Sequence, residues 1–221
     1  MKDFLPLLQS TSLFMGMKTE DIEAMLGCLG ATVVRIPKGE PVFLEGDNAG
    51  FVGVVLEGCV QVVRDDFYGN RSILAHAVKG ELFAEAFACA NVATMPVSGY
   101  AVKDSQIMLL SCQKMLTVCS STCLFHNQLV KNLLKVVAQK NLNLNSKIQF
   151  MSQRTTKEKL MAYLLDQAKK TGSPEFTIPF DRQALADYLG VERSAMSAEL
   201  SKLKKAGLLD FKGSQFHLLR T

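Results

Sequence analysis

At 221 residues the chain exceeds the ~100–200 of a usual domain, which leaves room for two modules with separate cores. Its net charge of +4 is unevenly placed: from Arg154 onward there are 12 Lys and Arg against 8 Asp and Glu, while Met1 to Gln153 holds 13 of each, so the excess lies where phosphate contact or an ordinary solvated surface would both fit. No apolar run reaches the ~18 residues of a membrane span, and Asp3 and Pro6 interrupt the start MKDFLPLLQSTSLF; neither a spanning helix nor a secretory signal is expected, and the chain is predicted to be cytoplasmic.

Thr19 to Leu26 reads as a short helix capped by Thr19. The pattern then becomes β, with apolar runs at Thr32–Ile36, Pro41–Leu44, Gly53–Leu56, Cys59–Val63, Ser72–Val78, Val97–Val102 and Gln106–Leu110. Between them fall Lys38-Gly39, Glu45-Gly46-Asp47, Glu57-Gly58, Tyr68-Gly69-Asn70 and Lys79-Gly80. Many short strands at close spacing with Gly turns indicate an antiparallel sandwich or roll. Gly80 to Cys89 fits a strand end, a turn and a short helix whose free amides could receive an anion.

From about Leu124 to Gln153 neither Pro nor Gly occurs, and Val130, Leu134, Val137, Asn141, Leu144, Ile148 and Met151 follow alternating steps of four and three. That is a heptad seam, with Leu134, Asn141 and Ile148 at position a, where a polar Asn fixes a parallel two-stranded register at some cost in stability. The alternative is a long helix packed inside one subunit, although a compact monomer usually shows a wider apolar stripe. Thr155 and Glu158 form a capping-box start for the next helix, so the module boundary is predicted near Gln153 to Thr155, without a flexible linker. The predicted divisions are 1–123, 124–153 and 154–221.

The stretch DRQALADYLGVERSAMSAELSKLKKAGLL, Asp181 to Leu209, predicts two helices joined by a tight turn. Asp181 suits an N-cap, Ala184, Leu185 and Tyr188 recur at helical spacing, and Gly190 supplies a positive φ at the break. The second helix, about Glu192 to Ala206, turns Met196, Leu200 and Leu203 inward; Arg193, Ser194, Ser197 and Ser201 stand opposite, with Lys202, Lys204 and Lys205 near its end and Gly207 as its stop. Leu208–Phe211 and Gln215–Leu219 then read as two strands about Lys212-Gly213-Ser214, the wing of a winged helix-turn-helix.

Ile36-Pro37-Lys38-Gly39-Glu40, Leu44-Glu45-Gly46-Asp47, Val55-Leu56-Glu57-Gly58 and Lys79-Gly80-Glu81-Leu82-Phe83-Ala84-Glu85 look like successive signatures of a cyclic-nucleotide-binding β-roll. With a long helix and a winged helix-turn-helix behind them, the whole order resembles the CRP/FNR family of bacterial transcription regulators. The resemblance implies an α+β chain: an antiparallel β-roll of the double-stranded jelly-roll type, a dimerisation helix, and a C-terminal domain that binds double-stranded DNA. A homodimer on an inverted repeat, with RNA polymerase as a further partner, follows from it. Arg193, Ser194, Ser197, Ser201 and Lys202 are the expected DNA contacts. Ser194 and Ala198 stand where the cyclic-AMP receptor places a Glu and an Arg, so that protein's target sequence is not implied.

In cyclic-nucleotide-binding members the cassette holds a Glu for the ribose and an Arg-Ser or Arg-Thr pair for the phosphate. Glu85 matches the first; the pair falls on Val97-Ser98, and no Arg or Lys occurs between Gly80 and Ala101. The hydroxyl pair that meets adenine falls on Leu144-Asn145. A buried phosphate without its cation loses a charge-assisted bond, so the small-molecule effector is expected to be something other than cyclic AMP. The candidate lining is Leu82, Phe83, Phe87, Met95 and Val97, residues that equally suit a filled core.

The cofactor is left open. The cysteines Cys28, Cys59, Cys89, Cys112, Cys119 and Cys123 lack the CxxC pairs of a zinc module and are expected to be reduced, most as small core residues. The N-terminal cysteine cluster of iron-sulfur members is absent. Haem would draw on His76, His126, Met95 or a cysteine, whereas a lone His in a strand is more often a core residue. Cys119-x3-Cys123-x2-His126, at a predicted helix start, could join Cys89 in a redox or metal site. An enzyme is not expected: a cupin-type metal centre needs clustered ligands, and His76, His126 and His217 fall in three different elements, with no GxSxG, P-loop or HExxH present.

Overall fold

A computed structural model describes residues 2–65, 67–68, 71–117 and 124–219. The chain divides into two compact units, Met1–Gln139 and Lys140–Thr221. In the first, helices α1 (Leu5–Ser10) and α2 (Thr19–Cys28) precede strands β1 (Thr32–Ile36), β2 (Pro41–Phe43), β3 (Phe51–Glu57), β4 (Cys59–Asp65), β5 (Arg71–Val78) and β6 (Leu82–Phe83). Helix α3 (Glu85–Cys89), β7 (Ser98–Ala101), β8 (Ser105–Ser111) and α4 (Cys112–Leu116) follow, and α5 (Leu124–Met151) leaves the unit. The predicted Thr19 cap does not form: the extended residue before α2 is Lys18, so Thr19 lies inside the helix and its hydroxyl meets Gln9 Oε1 at 3.3 Å.

Two four-stranded antiparallel sheets, in the orders β1-β8-β3-β6 and β2-β7-β4-β5, make the predicted roll. Strand alternation sends Val52, Val54 and Leu56 of β3 and Met108 and Leu110 of β8 into one cluster with α1, α2 and α4, while Val55 and Ile107 enter the core that Phe43, Val60 and Val62 share. The first sheet is therefore buried on both faces, which is why β3 reads as a nearly continuous apolar run rather than an alternating one. Gly53 of β3 seats the Phe83 ring, which would stand 2.1 Å from a Cβ added there, and Phe83 stacks on Phe43 with centroids 6.1 Å apart.

The inner face of α5 packs on this unit through Leu129 and Leu133. Buried Asn132 lies on the same face; its Nδ2 donates to the carbonyls of Leu13 and Met15, each at 2.9 Å, and its Oδ1 accepts from Gln128 Nε2 at 3.0 Å. One side-chain amide thus ties the segment between α1 and α2 to the helix.

The second unit contains α6 (Thr156–Thr171), β9 (Glu175–Thr177), α7 (Arg182–Leu189), α8 (Arg193–Lys205), β10 (Leu209–Lys212) and β11 (Gln215–Leu218). The capping box forms as read, with Glu158 N–H donating to Thr155 Oγ1 and Thr155 N–H to Glu158 Oε2. The wing has a third strand, β9, giving the order β10-β11-β9; its three residues between Pro174 and Pro179 are too few to show a period. Phe150, from the end of α5, is buried in this unit's core and meets Tyr163 edge-on. Among the described residues no helix is long and apolar enough to cross a membrane.

Replacing Asn132 with Leu strips the buried Leu13 carbonyl and the part-buried Met15 carbonyl of their donor and should destabilise the first unit by about 1–3 kcal/mol, read as a lower urea midpoint.

Candidate nucleic-acid interface and effector pocket

Helices α7 and α8 form as predicted. Asp181 caps α7, its Oδ1 accepting from Ala184 N–H at 2.8 Å, and Gly190 closes the helix at φ 60°. A methyl group at Gly190 would meet the Met151 side chain at 3.0 Å in addition to the left-handed backbone strain. Met196, Leu200 and Leu203 of α8 are buried in the core. On its other side Arg193, Ser194, Ser201 and Lys202 are exposed and Ser197 is half-buried.

These five side chains are not equally available. Ser194 Oγ donates to the Glu192 carboxylate, Ser201 Oγ to the Ser197 carbonyl at 3.0 Å, and Lys202 pairs with Glu199 at 2.6 Å. Arg193 projects from the first position of the helix. Glu192, which the sequence reading treated only as a helix start, is the cap: its carboxylate accepts from Ser194 N–H and Ala195 N–H. The Ser194 hydroxyl and the two amides hold it below the usual carboxylate range.

The wing is braced by a residue that sequence reasoning missed. Arg182 lies over the Phe211 and Phe216 rings, 4.7 and 5.2 Å from their centroids, and donates to the Gly213 carbonyl at the wing turn. Its position at the start of α7 gives no local signal, since the rings come from residues some thirty positions later. Lys204 is likewise engaged, 2.5 Å from Asp210 on β10.

In the roll, the expected pocket residues separate. Leu82 and Phe83 are adjacent on β6 and point to opposite faces, so Leu82 joins the helix-covered cluster while Phe83, Met95 and Val97 are buried between the sheets, with Phe87 packed against them. Leu82 and Phe83 therefore do not line one common space. Glu85 is buried at the start of α3, after Ala84 in a left-handed conformation, and Ser98 Oγ accepts from Glu45 N–H at 3.0 Å. Leu144 and Asn145 are exposed and belong to the second unit.

On α5, Leu134 and Ile148 are 67% and 58% exposed; Val130, Asn141, Leu144 and Met151 are also exposed. Val137 differs, being half-buried against the first unit's core. Of the candidate haem ligands, His76 is exposed beside Gln61 on the sheet, His126 is buried on α5 and Met95 lies in the inter-sheet core. Cys119 and Cys123 lie outside the described residues; Cys89 has Cys112 as its neighbour, with the sulfurs 4.0 Å apart.

An antiparallel jelly-roll, a long helix and a winged helix-turn-helix define a two-module architecture. Residues 33–122 match the cyclic nucleotide-binding domain family and residues 158–221 the Crp-like helix-turn-helix domain. The chain is 20% identical to the transcriptional activator protein anr of Pseudomonas aeruginosa over 83% of its own length and 75% of that protein's. It is 24% identical to the cyclic AMP receptor protein of Thermus thermophilus, covering 91% of this chain and 89% of that one. The solved structure of the c-di-GMP-responsive regulator CLP from Xanthomonas campestris superposes with a TM-score of 0.63 at 20% identity, covering 92% of this chain and all of that one. The chain belongs to the CRP/FNR family of transcription regulators.

Because Glu192 has a depressed folded-state pKa, it stabilises α8 above the ordinary Glu value of ~4.3, and that contribution disappears as pH falls through the lower folded value. Glu192→Gln should therefore flatten the acid limb of melting temperature against pH, measured in thermal melts between about pH 2 and 7.

Proposed function

We propose that the protein is a homodimer that reads an inverted-repeat operator with α8, under the control of an effector other than a cyclic nucleotide. The observation that carries the DNA reading is the two-sided α8: Met196, Leu200 and Leu203 are sealed in the core, and Arg193 stands exposed at the capped end just after the Gly190 turn. An arginine fork there can grip a guanine edge in the major groove, with Ser194 and Ser197 as weaker base or phosphate contacts and Ser201 and Lys202 nearer the backbone. Lys202 would exchange Glu199 for a phosphate.

Support for the dimer is the exposed apolar row Val130, Leu134, Leu144, Ile148 and Met151, most open at Leu134, Leu144 and Ile148 and interrupted by Asn141 as a register residue. Two copies joined along this row would present two α8 helices to half-sites about one helical turn, ~34 Å, apart. RNA polymerase is the further partner that this reading implies.

The effector reading rests on Val97. The relative from Thermus thermophilus is named for cyclic AMP, whereas this chain has a fully buried valine where a phosphate-binding cation is needed. No Arg or Lys lies between Gly80 and Ala101 to replace it. Burying an anionic cyclic phosphate against Val97 and Phe83 would cost its hydration with no charged partner in return.

Arg193→Ala should weaken specific DNA binding by about 1–3 kcal/mol with dimerisation intact, as measured by fluorescence anisotropy on a selected site and by sedimentation. Footprinting should show two symmetric half-sites; a single half-site would exclude the dimeric reading. Calorimetry with cyclic AMP and cyclic GMP should show no heat of binding up to millimolar concentration, and a micromolar isotherm for either would overturn the assignment of Val97.

A further inference from the structure

Two thiols meet where α3 ends and α4 begins. Cys89 and Cys112 are 23 residues apart in sequence, and their Sγ atoms lie 4.0 Å apart. Cys112 is only 2% exposed, whereas Cys89 is half-buried. Both pack in the helix-side cluster that also holds Ala88, Leu129 and Leu133, so the pair shares its surroundings with the inner face of α5.

We infer that Cys89 and Cys112 are a redox pair, closed to a disulfide by a small-molecule disulfide such as oxidised glutathione, and that closure repacks the seat of α5. This goes beyond the DNA-binding reading and does not rest on it. Exposure assigns the roles. Only Cys89 can be reached from solvent, so its sulfur attacks first: it loses its proton, bonds one glutathione sulfur and breaks the glutathione disulfide. The departing glutathione thiolate takes up a proton. Cys112 then gives up its proton as its sulfur attacks Cys89 Sγ, expelling the second glutathione as a thiol. The two protein thiols lose two electrons and the small disulfide gains them.

Closure brings the sulfurs from 4.0 Å to ~2.05 Å, a change that the two side chains and the helix ends that carry them, the end of α3 and the start of α4, must take up. Ala88 moves with Cys89, and Leu129 and Leu133 rest in the same cluster. The chemistry is that of a slow latch. Burial pushes the Cys89 thiol up to about 12, with Cys112 opposite and Glu85 one turn back on α3 acting in the same direction; burial raises the Cys112 thiol as well. Little thiolate is present for attack, so closure is slow, and because both thiols are held above the ordinary value neither thiolate is stabilised to favour reopening of the disulfide once made.

The test uses the full-length reduced protein, oxidised glutathione, an alkylating quench and mass spectrometry of non-reduced peptides. The expected product is a linked Cys89–Cys112 peptide. Cys112→Ser should stop at a glutathione adduct on Cys89, with Cys112→Ala replacing it if the serine variant does not fold, and Cys89→Ser should leave Cys112 unmodified in the native protein. The initial rate should rise about tenfold per pH unit from pH 7 to 9, whereas an ordinary thiol levels off near ~8.5. Hydrogen exchange at the amides from Leu129 to Val137 should change on closure in the parent and not in Cys112→Ser. The inference fails if the parent stops at a Cys89 adduct, if Cys112 is modified in Cys89→Ser, if the rate levels off near pH 8.5, or if the linked protein exchanges like the reduced one along α5.

Discussion

The architecture depends on α5, whose ends are held by different cores and whose middle is held by neither. Leu129 and Leu133 are buried with the roll's helix-side cluster, and Phe150 is buried with Leu160 and Tyr163 in the second unit. Between them every residue from Ala138 to Asn145 is exposed, two turns of helix outside both cores. Helices in water draw most of their stability from tertiary burial, and three asparagines here, Asn141, Asn143 and Asn145, are weak helix formers. This stretch therefore relies on its anchored ends and on whatever covers the apolar row beside it. On the dimer reading the cover is the same helix of a second copy, and dimerisation would stabilise the segment where the two compact units divide.

The two anchors are built differently. At the roll, Asn132 spends its amide on two backbone carbonyls of the segment joining α1 to α2, so the attachment is directional as well as apolar. At the other end Phe150 meets Tyr163 edge-on and Lys147 lies over the Tyr188 ring at 5.1 Å. Tyr188 is on α7, so α5 is tied by packing to the helix preceding the turn into α8.

In the roll, the cassette from Gly80 to Glu85 has its turn, strand and helix, and on the effector reading its ligand chemistry differs. The Gly80 turn, the two-residue β6 and the helix beginning at Glu85 are all present. Val97 nevertheless joins Phe43, Phe83 and Met95 in an apolar interior. Backbone geometry and ligand chemistry separate here because turn and strand positions are set by hydrogen bonding and φ, whereas ligand charge is set by a few side chains that those bonds do not constrain.

The sequence by itself determined the strand-rich first half, the order of modules, the inward set Met196, Leu200 and Leu203, the Asp181 cap and the Thr155–Glu158 capping box. Each rests on local periodicity or on hydrogen bonds three residues apart, and these are written in neighbouring letters. The absence of Arg and Lys between Gly80 and Ala101 is likewise read from the letters alone, because an absent residue type needs no coordinates to be noticed. Only the tertiary structure decided that Leu82 and Phe83 face different layers, that Glu192 and not solvent occupies the start of α8, that Arg182 braces the wing, and that Cys89 faces Cys112. These depend on contacts between distant segments: strand alternation has meaning only once it is known what covers each face, and a side chain's partner is chosen by the whole fold's packing, which no local pattern encodes.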